Sequence, residues 1–409
     1  MATVPTQPQF LPDGGVTSPR GWQAGARYVG IKRYGTEPRL DLGLLWSERL
    51  ATAAGVFTRN KVCGAPVAVC RENLADGRAH ALVANSGCSN VAMGARGLED
   101  ARRMAAITAA RLHVSADQVL VASTGVIARP LPMPVIEQGI GEIELTDDGG
   151  ASFARAIMTT DTVSKERAIR FSVGGQSYVV GGTAKGSGMV HPDMATVFCF
   201  LTTDAPIAPS WIAPLLKDTA DRSINMTDVD MDTSTSDTML LLANGAAGGE
   251  LLSGGEPLGV AFQQALMDVA IELSRDLCRD GEGAETLIEV VVKGASSESD
   301  ARRAARCIAS SPLVKTMITG KDANLGRVLM ALGRSGAQLD VESVGIWIGE
   351  HEAFHSGTPT ELDLKTISDT MRQSEVRVTV ELGLGGHQAT AWGCDLTEGY
   401  IRINADYTT

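Results

Sequence analysis

The residues able to do the most demanding chemistry lie in one stretch, Lys185 to Ala205, KGSGMVHPDMATVFCFLTTDA. A glycine-rich, conformationally permissive loop leads there into an apolar, strand-like run that begins at Thr196, directly after the small residue Ala195. If the loop bends sharply, the Thr196 hydroxyl reaches the Ala195 carbonyl carbon, attacks it and moves the chain from amide to ester, which water then releases. Strain in the loop lowers the barrier to that step. Cleavage would free an α-amino group on Thr196 with an unperturbed pKa of about 8, so one residue would supply both nucleophile and base. Taken alone, the same Ala-Thr pair is more commonly a packed strand start.

Other constellations fail on context. His351-Glu352-Ala353-Phe354-His355 matches a zinc-protease string that needs a helix, yet Val344 to Gly349 before it is strand-like and Ser356-Gly357-Thr358-Pro359 closes a loop after it. A solvated strand connection is therefore expected. Asp228, Asp230 and Asp232 imitate the start of a calcium loop, but Thr233 stands where Gly is needed and Met239 where Glu is needed. A polar turn or buried hydrogen-bonding loop is expected instead. Gly320-Lys321-Asp322 lacks phosphate-loop spacing and reads as a turn.

The elements that must position such chemistry alternate along the chain. Residues 1–25, rich in Pro, Gly and Thr, predict an extended arm. His80 to Asn85 reads as a strand turning at Ser86-Gly87, and Leu98 to His113 carries a helical stripe. Ser115 and Gln118 form a capping-box pattern, and the buried strand Val119 to Ala122 then ends in a turn at Ser123-Thr124-Gly125. Val197 to Leu201 is strand-like, and Leu258, Phe262, Leu266, Val269, Leu273 and Leu277 make a long helical stripe stopped at Gly281. Amphipathic strands follow in EVRVTVELGLG and QATAWGCDLT. An α/β or α+β sandwich follows, mixed sheets packed with helices.

With 409 residues, the chain suggests two or three domains or one large interwoven unit, and no linker separates independent parts. Lys plus Arg number 36 against 48 Asp plus Glu, a net charge of −12 without any basic block, which excludes nucleic acid and anionic membranes as natural partners. The first residues lack the pattern of a signal peptide and no apolar run reaches spanning length, so a cytoplasmic protein is expected. Seven scattered cysteines without a CxxC pair argue against a disulfide framework or structural zinc, and most read as small buried residues.

The Lys185–Ala205 stretch resembles the cleavage segment of the bacterial ornithine acetyltransferase family. Similar stretches recur in order: VANSG at 83–87, ASTGVIA at 122–128, MTTDT at 158–162, DTSTSDTMLLLANG at 232–245, RDGEGA at 279–284, VKTMITGKDANLGR at 314–327 and CDLTEGYIRINADYTT at 394–409. The resemblance implies Thr196 as nucleophile, cleavage between Ala195 and Thr196, and Thr124 and Gly125 as the oxyanion hole. It also implies substrate contacts at Thr159, Lys185, Thr196, Glu282, Asn404 and Thr409. These residue types suit an amino acid: Lys185 can meet an anionic group and Glu282 can accept from an ammonium.

By the same resemblance, residues 1–195 and 196–409 become interlocked α and β chains, assembled as a heterotetramer of two of each. Thr196 would move acetyl from N-acetylornithine to glutamate by a ping-pong route without metal or prosthetic group, with acetyl-CoA as donor if the enzyme is bifunctional. A related acyltransferase or amidohydrolase, or an uncleaved amino-acid-binding protein, is the alternative. Cys88, Asp193, Met231 and Leu325 depart from the usual family pattern, which puts pocket walls and specificity in question.

Overall fold

The computed structural model describes residues 6–32, 39–191, 197–361 and 363–406. Nine strands form its first sheet: β1 (Thr6–Phe10), β2 (Trp22–Arg27), β3 (Leu42–Phe57), β4 (Arg78–Cys88), β5 (Val119–Val126), β6 (Lys165–Val173), β7 (Gln176–Lys185), β8 (Phe198–Thr203) and, after a short β9 (Thr227–Asp228) that lies elsewhere, β10 (Thr238–Ala243). The order across the sheet is β1-β6-β7-β8-β10-β3-β4-β5, with β2 paired to β3. Pairs β8/β10 and β4/β5 are parallel and the remaining neighbours antiparallel. The second sheet takes β9 together with β11 (Leu287–Ala295), β12 (Gly345–Ile348), β13 (His351–His355), β14 (Thr358–Pro359), β15 (Glu375–Glu381) and β16 (His387–Cys394), in the order β14-β13-β12-β15-β11-β16-β9.

The apolar run after Thr196 is continuous because both faces of the first sheet are covered. Phe198 and Phe200 of β8 join Phe153, Leu240 and Leu242 in one core, while Cys199 and Leu201 join Leu273 and Leu277 in another. The covering helices are α1 (Ala65–Asn73), α2 (Gly94–Leu112), α3 (Met133–Glu142), α4 (Gly150–Ala156), α5 (Pro209–Arg222) and α6 (Pro257–Arg279). Helices α7 (Glu298–Ala309), α8 (Pro312–Gly320), α9 (Gly326–Gly333) and α10 (Leu364–Thr370) serve the second sheet, and α11 (Glu398–Asp406) closes the described chain. The stripe on α6 puts Leu266, Val269 and Leu273 against the first sheet, while Ile271 and Cys278 reach the second core. One helix thus joins the two sheets into an interwoven unit.

Residue 196 divides the first sheet in sequence but not in space. Strands β8 and β10 follow it, yet they sit between β7 and β3, which precede it. The mixed-sheet sandwich matches expectation, with local corrections. The N-terminal arm contains a strand, β1, held by pairing with β6 and not by its own apolar pattern. Neither Ser86-Gly87 nor Ser123-Thr124-Gly125 is a turn; both are strand, paired Ser86 with Thr124 and Gly87 with Gly125. The capping box at Ser115 and Gln118 is present, on a single helical turn. His351 to His355 is strand β13, not the helix a zinc-protease site needs.

Candidate active site

The end of β5 forms one wall of a cleft enclosing about 620 Å³. Gly125 has φ +120°, and a Cβ there would fall 2.5 Å from the Gly87 carbonyl carbon and 2.7 Å from the Cys88 nitrogen. Only glycine allows the two strand ends to approach so closely. The pair is tied from the side as well: Ser123 Oγ donates to Asn85 Oδ1 at 2.6 Å, Asn85 Nδ2 donates to the Cys88 carbonyl at 2.9 Å, and Ser89 N donates to the Val126 carbonyl at 3.0 Å. Thr124 is 7% exposed and lines the cleft; among the described residues its hydroxyl takes no hydrogen-bond partner. A donor held rigidly yet left unpaired suits developing negative charge.

Lys185, the last residue of β7, faces it across the cleft. Its Nζ donates to Thr159 Oγ1 at 3.3 Å and lies over the Phe198 ring at 5.8 Å. Burial lowers the Lys185 pKa, while Asp161 and Asp237 pull it back up. Beneath it is a buried charge cluster, with Lys165 Nζ 2.7 Å from Asp161 and 2.6 Å from Asp280. Burial works against the charged form of Asp161, but Lys165 and Lys185 outweigh it and hold the carboxyl below its ordinary range. Asp161 also accepts from Thr159 N at 2.9 Å and Gly186 N at 2.7 Å, so one carboxylate fixes both Thr159 and the residue after Lys185. Asp237 differs: burial pushes its carboxyl well above the usual range, against Ser234 and Lys185, favouring the neutral form.

Glu282 follows α6, and its N–H donates to the Ser187 carbonyl at 2.7 Å. Asn404, on α11, donates from Nδ2 to Glu282 Oε2 at 2.7 Å. Gly188 makes room for the carboxylate, since a Cβ there would lie 2.4 Å from Glu282 Cδ. The fold therefore brings Thr124, Gly125, Thr159, Lys185, Glu282 and Asn404 to one cleft. Lys185 and Glu282 are only 9% and 8% exposed, which separates them from ordinary surface charges. Ala195, Thr196 and Thr409 lie outside the described residues, as does Asp193.

The chain is pinned on both sides of residues 192–196. Asp230 accepts from Met189 N at 2.6 Å and Val190 N at 2.9 Å, Val229 N donates to the Val190 carbonyl at 2.7 Å, and Thr233 Oγ1 donates to the His191 carbonyl at 3.0 Å. His191 Nδ1 lies 2.8 Å from Asp228, whose other oxygen is 2.9 Å from buried Lys315 Nζ. Beyond the gap, Thr238 N donates to the Val197 carbonyl at 3.0 Å. The described part of the loop, up to His191, is thus tied by hydrogen bonds, and Gly186 takes φ +145°, a conformation that glycine permits. The Asp228-Asp230-Asp232 run is the predicted hydrogen-bonding loop, and what it binds is this segment.

Several cleft residues carried no role in the sequence reading: Ser89, Thr160, Met189 and Ser234 to Ser236. The available signal was their position inside or beside the quoted KGSGMV, MTTDT, DTSTSDTM and VANSG stretches. Of the departures from family pattern, Cys88, Met231 and Leu325 are not among the residues lining the described cleft. Cys88 is buried with its Sγ donating to the Arg129 carbonyl at 2.9 Å, and Leu325 packs on the second core. Met231 has φ +67°, a left-handed conformation that glycine adopts without steric cost.

A mixed α/β sandwich with an unpaired hydroxyl at a glycine-locked strand end, opposite a buried Lys and Glu, defines a candidate enzyme of acyl transfer to amino acids. The ArgJ family profile matches residues 23–409. The arginine biosynthesis bifunctional protein ArgJ of Dehalococcoides mccartyi is 46% identical over 400 residues, covering 98% of each chain. That of Symbiobacterium thermophilum is 46% identical over 398 residues, covering 97% of this chain and 99% of the relative. The crystal structure of Mycobacterium tuberculosis ornithine acetyltransferase complexed with ornithine shares 38% identity, with a TM-score of 0.43, over 46% of this chain and all of that one. The chain belongs to the ArgJ family. Among the described residues no helix is long and apolar enough to cross a membrane.

Proposed function

We propose that this ArgJ-family acetyltransferase of arginine biosynthesis cuts its own chain between Ala195 and Thr196 and then carries acetyl on the Thr196 hydroxyl from N-acetylornithine to glutamate. The observation that carries this reading is the convergence of Thr124, Gly125, Lys185 and Glu282 on one cleft, beside the point where the pinned Met189–His191 segment leads toward Thr196. In self-cleavage, the Thr196 hydroxyl adds to the Ala195 carbonyl, the amide C–N bond breaks, and water hydrolyses the resulting ester. The freed α-amine then serves as base for the hydroxyl beside it.

In transfer, Thr196 attacks the acetyl carbonyl and the Thr124 hydroxyl and Gly125 N–H stabilise the oxyanion. The hydroxyl proton passes through the α-amine to the departing ornithine nitrogen, and the glutamate amine reverses the sequence. Lys185 meets the substrate carboxylate, Glu282 its ammonium, and Thr159, Asn404 and Thr409 complete the contacts. The ornithine complex of the M. tuberculosis relative supports a ligand of that size and charge. Insertion of β8 and β10 between β7 and β3 supports α and β pieces, 1–195 and 196–409, that stay interlocked after cleavage. Two of each would form a heterotetramer in the cytoplasm.

The test is acetyl transfer by purified protein with labelled N-acetylornithine and glutamate. Ornithine and N-acetylglutamate should appear in equal amounts. Accumulation of free acetate would make the protein an amidohydrolase, and an uncut chain without turnover would make it a binding protein.

A further inference from the structure

Ser236 lies in the cleft wall with Thr124, Gly125 and Lys185. The turn that carries it is fixed residue by residue: the Ser234 carbonyl accepts from Thr58 Oγ1 at 2.8 Å, the Thr235 carbonyl from Gly64 N at 2.9 Å, the Ser236 carbonyl from Thr238 Oγ1 at 3.0 Å and the Asp237 carbonyl from Thr58 N at 3.1 Å. Ser236 N donates to Ser234 Oγ at 3.2 Å. Within this committed backbone the Ser236 hydroxyl is spare. Its Oγ is shut off from solvent and has no hydrogen-bond partner among the described residues. An unpaired buried hydroxyl costs stability that alanine would not, so its presence calls for a partner that arrives only during the reaction. Its place in the chain points to that partner. Strands β8 and β10 enter the first sheet side by side, Thr238 N donating to the Val197 carbonyl at 3.0 Å and Thr238 pairing with Phe198. Ser236 stands two residues before Thr238, and Thr196 is bonded to Val197.

The chemistry proposed for Thr196 needs such a hydroxyl. In self-cleavage the Thr196 hydroxyl loses a proton, and the Thr196 nitrogen gains one as its bond to the Ala195 carbonyl carbon breaks. In transfer the hydroxyl again loses a proton and the same nitrogen, now an amine, takes it. Both steps therefore move a proton from oxygen to nitrogen within one residue, and the direct path is poor. The two atoms sit on adjacent carbons, so a hydrogen bond between them closes a five-membered ring and bends below the angle of about 120° at which such bonds weaken steeply. A second hydroxyl bridging the two straightens both halves of the path. We infer that Ser236 is a further catalytic residue, its hydroxyl relaying the proton from the Thr196 hydroxyl to the Thr196 nitrogen in self-cleavage and in acetyl transfer alike. Ser236 accepts the proton as the C–O bond to the acyl carbon forms and gives its own to the nitrogen, so it ends unchanged. In self-cleavage the amide C–N bond breaks as that proton arrives. In transfer the ammonium so formed then protonates the departing ornithine nitrogen. The inference rests on the acetyl-Thr196 reading above.

The experiment is Ser236→Ala in the full chain, with self-cleavage followed by intact mass and transfer from N-acetylornithine to glutamate measured on the cleaved fraction. Both rates should fall on the order of a hundredfold, with KM for either substrate nearly unchanged. The midpoint of chemical denaturation should hold or rise, because a buried unpaired hydroxyl is gone. A structural role predicts the reverse, a lower midpoint with normal rates in the protein that stays folded, and would overturn the relay. So would a loss confined to one of the two steps, since one route serves both. Solvent deuterium supplies a check that needs no variant. In a single turnover of Thr196 acetylation, the rate of the unaltered protein plotted against deuterium fraction should bow downward, the sign of two protons moving together, and should become linear in Ser236→Ala. A straight line in the unaltered protein overturns the relay. If the unaltered protein stays uncut or makes no N-acetylglutamate, the proposed function fails. If it is cut and active and Ser236→Ala matches it, the relay alone fails.

Discussion

On one side of the cleft, the end of β5 presents a hydroxyl and backbone N–H groups whose positions follow from a parallel ladder, Ser86 with Thr124 and Gly87 with Gly125. On the other, Lys185, Glu282 and Asn404 arrive from β7, the turn after α6 and α11, and are oriented by charges and hydrogen bonds to Thr159, Ser187 and one another. The first wall is fixed by close backbone approach, so it should be sensitive to volume. The second is fixed by electrostatics, so it should tolerate shape-preserving changes in fold while losing recognition when charge is removed.

Gly125→Val would break the first wall outright. Its side chain would meet Gly87 and Cys88 backbone atoms at 2.5–2.7 Å in a positive-φ conformation, so stability should fall by about 3 kcal/mol or more. Chemical denaturation measures this, and a variant of unchanged stability would show that the strand ends can separate. Thr124→Ala sharpens the same wall without disturbing it. With an unpaired hydroxyl removed, stability should hold while kcat for transfer drops roughly a hundredfold at nearly constant KM. Wild-type turnover in a folded, cleaved variant would remove Thr124 from the mechanism. On the second wall, Glu282→Gln keeps a partner for Asn404 but loses the charge. The variant should fold and cleave, with KM for the amino-acid substrate raised by about tenfold. Lys185→Met should weaken the anionic end similarly, and steady-state kinetics on each substrate separates the two. Unchanged constants would cancel either assignment.

The contrast also explains what the sequence could and could not reveal. The β8 run and the α6 stripe were legible because burial on both faces, or on one helical face, leaves a periodic apolar record. Gly125 was visible as a glycine but not as a strand residue, since what demands it is Gly87, a distant partner in the ladder. The ties on the loop before Thr196 were hidden for the same reason. Asp161 and Asp230 bind Gly186 and Val190 across 25 and 40 residues of chain, and an aspartate carries no local mark of the N–H it will accept from. β1 left no mark either, because TQPQF borrows its conformation from β6. Lys185 and Glu282 gained meaning from family resemblance alone until burial set them apart from surface charges.

In the proposed mechanism both walls serve a nucleophile that must first be released, so the most direct measurement is intact mass with N-terminal sequencing of the purified protein and of Thr196→Ala. The unaltered protein should yield two fragments, one beginning at Thr196, and Thr196→Ala should remain a single chain without acetyl transfer. An active protein that stays uncut, or a fragment beginning at any other residue, would contradict the account.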